Sequence, residues 1–200
     1  MYTKVQMRVA SLLRYINIPK QHHSAVGWDE PTQRQASLCY TVLIQGCAGS
    51  GLYNHLSIST DFAGRFELIA LAIWLFVDGM PTESPQPRWV KYLGTTLLHD
   101  CDSAFREKGI GDTKVPSLVR DAYGALMGRI NAYRHGAIES DMALADAIGR
   151  NCLGQKYGSL EPDAKSYLVR FAGHLRVAVH RDKEKSQPLI WAKEIAHLMR

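Results

Sequence analysis

The sequence at positions 105–133 reads FREKGIGDTKVPSLVRDAYGALMGRINAY. Two helices are predicted to meet in it. Gly109 suits the end of the first helix, because glycine adopts a left-handed backbone without steric cost. Asp112 or Thr113 is predicted to cap the second helix, and Pro116 falls in its first turn, where a missing N–H is harmless. The stretch therefore predicts two helices joined by a tight turn.

Apolar side chains recur at helical spacing after this turn. They are Val115, Leu118, Val119, Ala122, Leu126, Ile130 and Tyr133. Gly124 and Gly128 lie four residues apart on the same helix, and each costs roughly 1 kcal/mol of helix propensity relative to alanine. We therefore expect another backbone to pass close to both glycines. On that basis Gly128→Leu should destabilise the fold by more than the loss of propensity.

Three blocks of sequence resemble those of one known family, the ubiquinol–cytochrome c chaperones. They are TDFAGRFE at 60–67, FREKGIGDTKVP at 105–116 with GRINAY at 128–133, and LADAIGRN at 144–151. The resemblance spans roughly positions 38–154. Two positions depart from the family pattern: Leu126-Met127 replaces an aromatic pair, and the helix after Glu67 has no histidine.

The resemblance implies a function in assembly of respiratory complex III. Members of this family are not enzymes and need no cofactor. They bind cytochrome b as it is made, and mitochondrial members work with a smaller partner protein near the ribosomal exit tunnel. It also implies a location in the mitochondrial matrix or the bacterial cytoplasm, peripheral at the inner membrane.

The same resemblance selects the candidate partner-binding or family-motif residues. They are Asp61, Arg65, Phe66, Glu67, Arg106, Glu107, Gly109, Gly111, Asp112, Gly128, Arg129, Tyr133 and Asn151. Either they contact the client or they hold the fold. Four of the charged ones, Arg106, Glu107, Asp112 and Arg129, are expected to form one buried polar network, and breaking such a network costs a few kcal/mol.

The first thirty residues are predicted to be a basic amphipathic helix and a linker. Lys4, Arg8, Arg14 and Lys20 carry four positive charges, and no acid precedes Asp29. This pattern is typical of a helix that attaches to an anionic membrane or a ribosome, or of a transit peptide. A first helix docked on the domain is the structural alternative.

The net charge of +5 leaves a second function open. A basic helical module could bind ribosomal RNA or ribosomes without a client of its own, and its binding would then weaken steeply as salt rises. The four cysteines form no C-x-x-C pair, which predicts reduced, buried thiols. The most apolar run, positions 66–77, is too short for a membrane span, which needs about 20 residues.

Three sequence patterns could indicate a metal, nucleotide or catalytic site, but each is weak evidence for one. His22 and His23 are adjacent and have no third ligand nearby, so a metal site is not predicted. The glycine cluster at 46–51 lacks the strand and the lysine of a nucleotide loop. His99 and Cys101 lie two apart on a predicted helix, where side chains diverge by roughly 100° per residue, so no Cys–His nucleophile is predicted.

We therefore predict an all-α fold in which residues 31–200 form one domain of about eight helices. The helices at 66–77 and 118–133 should form its centre. Thr60 should cap the first of these, His135-Gly136 should end the second, and Ser140 should cap the helix that follows. Leu38 is expected to face the core.

Overall fold

The computed structural model describes residues 30–80, 86–180 and 187–200. These residues form eight α-helices, one 3-10 helix and no strand, which confirms the prediction of a single all-α domain. The helices are α1 (Glu30–Ala48), α2 (Leu52–His55), α3 (Phe62–Asp78), α4 (Gln86–Glu107), α5 (Val115–Glu139), α6 (Asp141–Leu153), α7 (Pro162–His180) and α8 (Pro188–Leu198), with the 3-10 helix Gly154–Ser159 between α6 and α7.

Helix α3 is the centre of the domain. It is apolar on all sides, and every residue from Phe66 to Val77 except Ile69 is buried. A helix of this kind is stable only when other helices surround it. Helices α1, α4, α5, α6, α7 and α8 all contact α3. Across residues 30–80, 86–180 and 187–200, no helix combines the length and the apolar character needed to cross a membrane.

Hydrogen bonds from the last helix close the domain around α3. The indole N–H of Trp191, on α8, donates to the carbonyl oxygen of Phe76 at 3.1 Å. The backbone N–H of Gly51 donates to the carbonyl oxygen of Arg200 at 3.0 Å, which joins the loop after α1 to the end of the chain. Helices α1 and α8 therefore run side by side and both cover α3.

The turn between α4 and α5 confirms one prediction and corrects another. Gly109 has a φ of +74°, the left-handed conformation predicted at the end of α4. The N-cap of α5 is Lys114 rather than Asp112 or Thr113, and no side chain caps this end. The carbonyl oxygen of Gly111 instead accepts the N–H groups of Lys114 and Val115, at 2.8 and 3.3 Å.

Two other helix ends differ from their predicted positions. Asp61, not Thr60, caps α3, and its Oδ1 accepts the Gly64 N–H at 3.0 Å. Helix α5 continues beyond His135-Gly136 to Glu139, because Gly136 does not break a helix that packs tightly on its neighbour. Ser140 caps α6 as predicted, and its Oγ accepts the Ala143 N–H at 3.0 Å.

The expected close packing at Gly128 is wrong. Gly128 is exposed, and a Cβ added there would meet nothing within 4 Å among the described residues. The close approach on α5 occurs two turns later, where a Cβ on Gly136 would lie 2.8 Å from the Cα of Leu144. Leu38 is also misassigned, because it is 52% exposed on the outer side of α1.

The basic N-terminal segment with Lys4, Arg8, Arg14 and Lys20 lies outside the described residues, as does the pair His22-His23. Its role as an attachment element, and the division of the chain at residue 30, therefore remain predictions.

Candidate functional site

The motif residues come from four elements that meet near the start of α3. Asp61, Arg65, Phe66 and Glu67 belong to the first turns of α3, and Arg129 and Tyr133 to the second half of α5. Asn151 lies near the end of α6, and Gly128 lies on α5. Arg106 and Glu107 are the last residues of α4, and Gly109, Gly111 and Asp112 lie in the turn that follows. They divide into a buried cluster and a surface cluster.

An ion pair between Glu67 and Arg129 is the centre of the buried cluster. Arg129 Nη2 lies 2.6 Å from Glu67 Oε1, and Arg129 Nε lies 2.9 Å from Glu67 Oε2. The side chains are only 17% and 11% exposed for Arg129 and Glu67 respectively. This two-pronged geometry satisfies both carboxylate oxygens and joins α3 to α5 across 62 positions of sequence.

Burial and pairing act in opposite directions on these two groups. Burial raises the pKa of the Glu67 carboxyl, and the hydrogen bonds and charge of Arg129 oppose that rise. Burial works against the charge on Arg129, but the hydrogen bonds and charge of Glu67 outweigh it, so the pKa of Arg129 is raised. Each group therefore depends on the other to stay charged inside the protein.

Tyr133 extends the buried cluster towards α6. Its side chain is fully buried, and its hydroxyl makes no hydrogen bond of ordinary geometry to any described residue. Burial raises the pKa of Tyr133 well above the ordinary range, and Cys152, Glu67, Arg129 and Asn151 all lie close enough to contribute. The cluster thus brings residues of all three helices, α3, α5 and α6, to one place.

An aromatic group connects the start of α3 to the end of α4. The ring of Phe62 lies 5.0 Å from that of Phe105 and 6.5 Å from that of Phe66. Lys108 Nζ lies 5.1 Å from the centre of the Phe62 ring, within the range of a cation–π interaction. Arg129 approaches the Phe66 ring at 6.0 Å, so the aromatic group adjoins the buried cluster.

The charged residues of the turn lie on the surface. Arg106 Nε donates to Asp102 Oδ1 at 2.8 Å, and its Nη1 pairs with Asp112. The Arg106 side chain is 48% exposed and that of Asp112 is 87% exposed. The predicted single buried network of Arg106, Glu107, Asp112 and Arg129 is therefore wrong. Arg129 belongs to the buried cluster, Arg106 and Asp112 form an exposed pair, and Glu107 is exposed.

Asp61 and Arg65 are both exposed at the start of α3. The hydrogen bond from the Gly64 N–H is the main cause of a lowered pKa at Asp61, and the charge of Lys108 adds to it. Arg65 Nε donates to the carbonyl oxygen of Asp61 at 3.4 Å and makes no salt bridge to Glu67. We call Asp61, Phe62, Phe105, Arg106, Lys108 and Asp112 together the junction surface.

The structure brings no Cys–His pair together at His99 and Cys101. Cys101 is buried, and burial raises the pKa of its thiol to about 12, whereas His99 is exposed. Among the residues that the structure describes, no group of three His, Cys, Asp or Glu side chains could hold a metal ion.

Two partly buried contacts of charged residues were not predicted from the sequence. Asp78 accepts two hydrogen bonds from Arg134, at 2.6 and 2.9 Å, and one from the Trp74 indole at 2.9 Å. Arg176 donates to Asp141 at 2.6 Å and to the Ala137 carbonyl oxygen at 2.7 Å. Asp78, the acid that follows the apolar run 68–77 at the end of α3, was the signal available in the sequence.

The described residues thus form an all-helical domain whose motif residues divide between a buried ion pair and a turn with a partly exposed aromatic group. A profile of the ubiquinol–cytochrome c chaperones matches residues 54–181, and the chain belongs to that family. It is thus an assembly chaperone of the ubiquinol–cytochrome c reductase, complex III. The match begins at α2 and includes α7, so it extends further towards the C-terminus than the predicted positions 38–154.

A crystal structure of the Cbp3 homolog from Brucella abortus has the same fold. The TM-score is 0.58 at 24% sequence identity, and the alignment covers 81% of this chain and 87% of the other. No curated protein sequence matches the chain.

Proposed function

We propose that this chaperone binds newly made cytochrome b and keeps it available for assembly into complex III, and that it does so without catalysis. The observation that supports the proposal is the convergence of the three motif blocks. Residues from α3, α5 and α6 meet around the Glu67–Arg129 pair, and the aromatic group links this cluster to the α4–α5 turn.

The two clusters are proposed to have different roles. Glu67, Arg129 and Tyr133 are too deeply buried to contact another protein, so they hold α3 against α5. The junction surface is accessible and presents the Phe62 ring beside Lys108, with Arg106 near the same turn. An aromatic ring bordered by charges of both signs, Lys108 and Arg106 beside Asp61 and Asp112, is suited to an apolar segment that has polar neighbours. We therefore assign client binding to the junction surface.

Further partners follow from the family and from the basic N-terminal segment. They are a small partner assembly protein, the ribosome near its exit tunnel, and anionic membrane through Lys4, Arg8, Arg14 and Lys20. The corresponding location is the mitochondrial matrix or the bacterial cytoplasm, at the inner membrane.

The test is cross-linking of the full chain to cytochrome b in membranes that are synthesising it. Phe62→Asp and Lys108→Glu should each reduce the recovery of cross-linked cytochrome b. Leu38→Asp is the matched control, because Leu38 is an exposed apolar residue far from the turn in sequence. Circular dichroism of each variant checks that the fold is intact. Equal recovery with Phe62→Asp and Leu38→Asp would contradict the assignment.

Salt separates this proposal from binding to RNA. Docking of an apolar client should persist as salt is raised, whereas binding through phosphates should fall steeply. Binding to ribosomal RNA that disappears at high salt, without any cross-link to cytochrome b, would favour the RNA-binding alternative.

A further inference from the structure

An open groove in the C-terminal half of the domain has no part in the proposed function. It lies between α6, the 3-10 helix and α7, and its volume is about 560 Å³. That volume falls in the range of about 300–1,000 Å³ that is usual for ligand sites. The residues that line it belong neither to the junction surface nor to the buried cluster. The groove is therefore available to a partner other than the one assigned to the junction surface.

Helix α7 supplies the cations of this groove. Lys165, Ser166, Val169 and Arg170 line it, and their spacing places all four on one side of α7. Lys165 and Arg170 are exposed, and neither makes a salt bridge to any residue that the structure describes. Val169 is partly buried and packs against the core. This wall of the groove thus places two cations beside an apolar side chain.

The acid of the groove, Asp146 on α6, already has partners. It is the only acid among the described residues that line the groove. The Tyr157 hydroxyl donates to its Oδ1, and its Oδ2 lies 4.0 Å from Arg150 Nη1. Burial and the hydrogen bond to Asp146 raise the pKa of Tyr157 to about 12, so this hydroxyl keeps its proton near neutral pH. Asp146 is thus held by α6 and the 3-10 helix, and the groove keeps an excess of positive charge.

Other acids near the groove do not cancel this excess. Asp141, at the start of α6, pairs with Arg176 at 2.6 Å. Glu161 and Asp163, around the start of α7, are exposed and do not line the groove. The positive charge is therefore a property of the groove's own lining.

The remaining side chains of the groove favour a protein over a nucleic acid. Met142, on α6, is 58% exposed at the groove and offers an apolar contact. Nucleic-acid grooves usually combine cations with aromatic rings on which bases stack. Tyr157 is the one aromatic residue among the described residues of the lining, and its ring lies against α6, where a Cβ on Gly149 would be 2.2 Å away. Its hydroxyl is also occupied by Asp146.

We propose that this groove binds an acidic segment of a partner protein, in which acidic residues lie on both sides of an apolar residue. The carboxylates would pair with Lys165 and Arg170, and the apolar side chain would contact Met142 and Val169. Such complementary charge selects one partner over others. A flat bilayer would meet the helices on either side of the groove before it reached the recessed lining. The proposal goes beyond the function of the junction surface and does not depend on the identity of the client.

The test uses the full chain and two labelled peptides of about ten residues, which span roughly 33 Å when extended. Both have a central leucine, flanked by glutamates in one peptide and by lysines in the other. Fluorescence anisotropy should show the glutamate peptide binding at least about tenfold more tightly. Lys165→Glu and Arg170→Glu should each weaken its binding by about tenfold or more. Lys193→Glu is the matched control, because it makes the same change in net charge at an exposed position of the separate groove between α7 and α8.

Two further variants test the acid and the apolar contact of the groove. Asp146→Asn keeps an acceptor for the Tyr157 hydroxyl but removes the negative charge. It should strengthen binding of the glutamate peptide by roughly two- to fivefold, since one exposed charge contributes little. Met142→Ser should weaken binding, whereas Ile138→Ser, at an apolar residue that is 69% exposed outside the groove, should leave it unchanged. Circular dichroism of each variant checks that the fold is intact.

Several outcomes would overturn the proposal. Equal affinity for the two peptides would do so, as would an equal effect of Lys165→Glu and Lys193→Glu. Binding of single-stranded RNA or anionic vesicles, but not of the glutamate peptide, that is lost in Arg170→Glu would assign the groove to nucleic acid or membrane instead. A dimer of the native chain that sedimentation shows to be lost in Met142→Ser would assign it to a second copy.

Discussion

Glu67 and Arg129 form the buried ion pair that joins α3 to α5. Arg129→Met leaves the Glu67 carboxylate buried without its partner, and such a loss typically costs about 3–5 kcal/mol of unfolding free energy. The double variant Glu67→Met/Arg129→Met should lose much less, because two apolar side chains of similar size remove the uncompensated charge. A double-mutant cycle from chemical denaturation measures the coupling between them.

The exposed Arg106–Asp112 pair is the control for that cycle. Arg106→Met removes its exposed pairs with Asp112 and Asp102, which water and salt already screen, so the free energy of unfolding should change far less than with Arg129→Met. The assignment of Arg129 as the structural arginine would be wrong if Arg129→Met and Arg106→Met had the same effect.

The family resemblance selected the motif residues, but the sequence did not predict which of these side chains contact each other in the folded domain. Arg106 and Arg129 are both arginines on helices, and the acid that pairs with Arg129 lies 62 positions away in sequence, so nothing local shows that this arginine becomes buried. The difference arises because Arg129 faces the start of the buried helix α3, whereas Arg106 ends α4 beside an exposed turn. Burial is a property of the packed domain, so spacing along the chain could not reveal it.

At the scale of the helix, two glycines of α5 should respond oppositely to the same substitution. Gly128→Ala adds a methyl group where nothing lies within 4 Å, so it should stabilise the protein by roughly 1 kcal/mol through helix propensity. Gly136→Ala places a Cβ 2.8 Å from the Leu144 Cα, so it should destabilise it by about 1–3 kcal/mol. Urea denaturation of both variants measures the two signs. A neutral or stabilising effect of Gly136→Ala would contradict the close packing of α5 against α6 at this position.

The capping of α3 by Asp61 should make stability depend on pH. The pKa of Asp61 is lowered from its ordinary value of 3.8 in the folded protein, so its contribution is present above that value. The contribution is lost as pH falls through the lowered pKa of the folded state. Asp61→Asn keeps a cap but cannot ionise.

The stability difference between native protein and Asp61→Asn should therefore favour the native protein near pH 6 and shrink towards pH 3. Urea denaturation at a series of pH values measures it. Glu107→Gln, which removes an exposed carboxyl that caps no helix, is the control for the loss of one surface charge. A difference that stays constant with pH would show that the charge of Asp61 does not contribute.

Helix ends that depend on a few neighbouring residues are the boundaries that the sequence predicts well. Ser140 as the cap of α6 and Gly109 at the end of α4 depend on a few neighbouring residues, and both predictions are confirmed. Gly136 was predicted to end α5. It instead lies within the helix, where the absence of a side chain lets α6 pack close to α5. A glycine that breaks a helix and a glycine that lets two helices approach look the same in a single sequence.

For the whole molecule, the basic segment before residue 21 is predicted to attach the chaperone rather than to stabilise it. Its removal should leave the unfolding transition of the remaining domain unchanged. Binding to anionic vesicles or ribosomes should fall, and the lost part should be the salt-sensitive part, since each Lys or Arg near an anionic surface contributes about 1 kcal/mol. Vesicle co-sedimentation at low and high salt measures this. A truncated chain that unfolds, or that binds as well as the full chain, would contradict it.

The proposed function requires this protein to supply cytochrome b to complex III. The most direct measurement is optical difference spectroscopy of b-type haem in membranes from a strain that lacks the gene, alongside the same strain with the gene restored. From the proposed function we expect that deletion lowers cytochrome b and assembled complex III while the other respiratory complexes still form. Restoring the gene should recover both. Normal levels of cytochrome b and of assembled complex III in the deletion strain would contradict the proposed function.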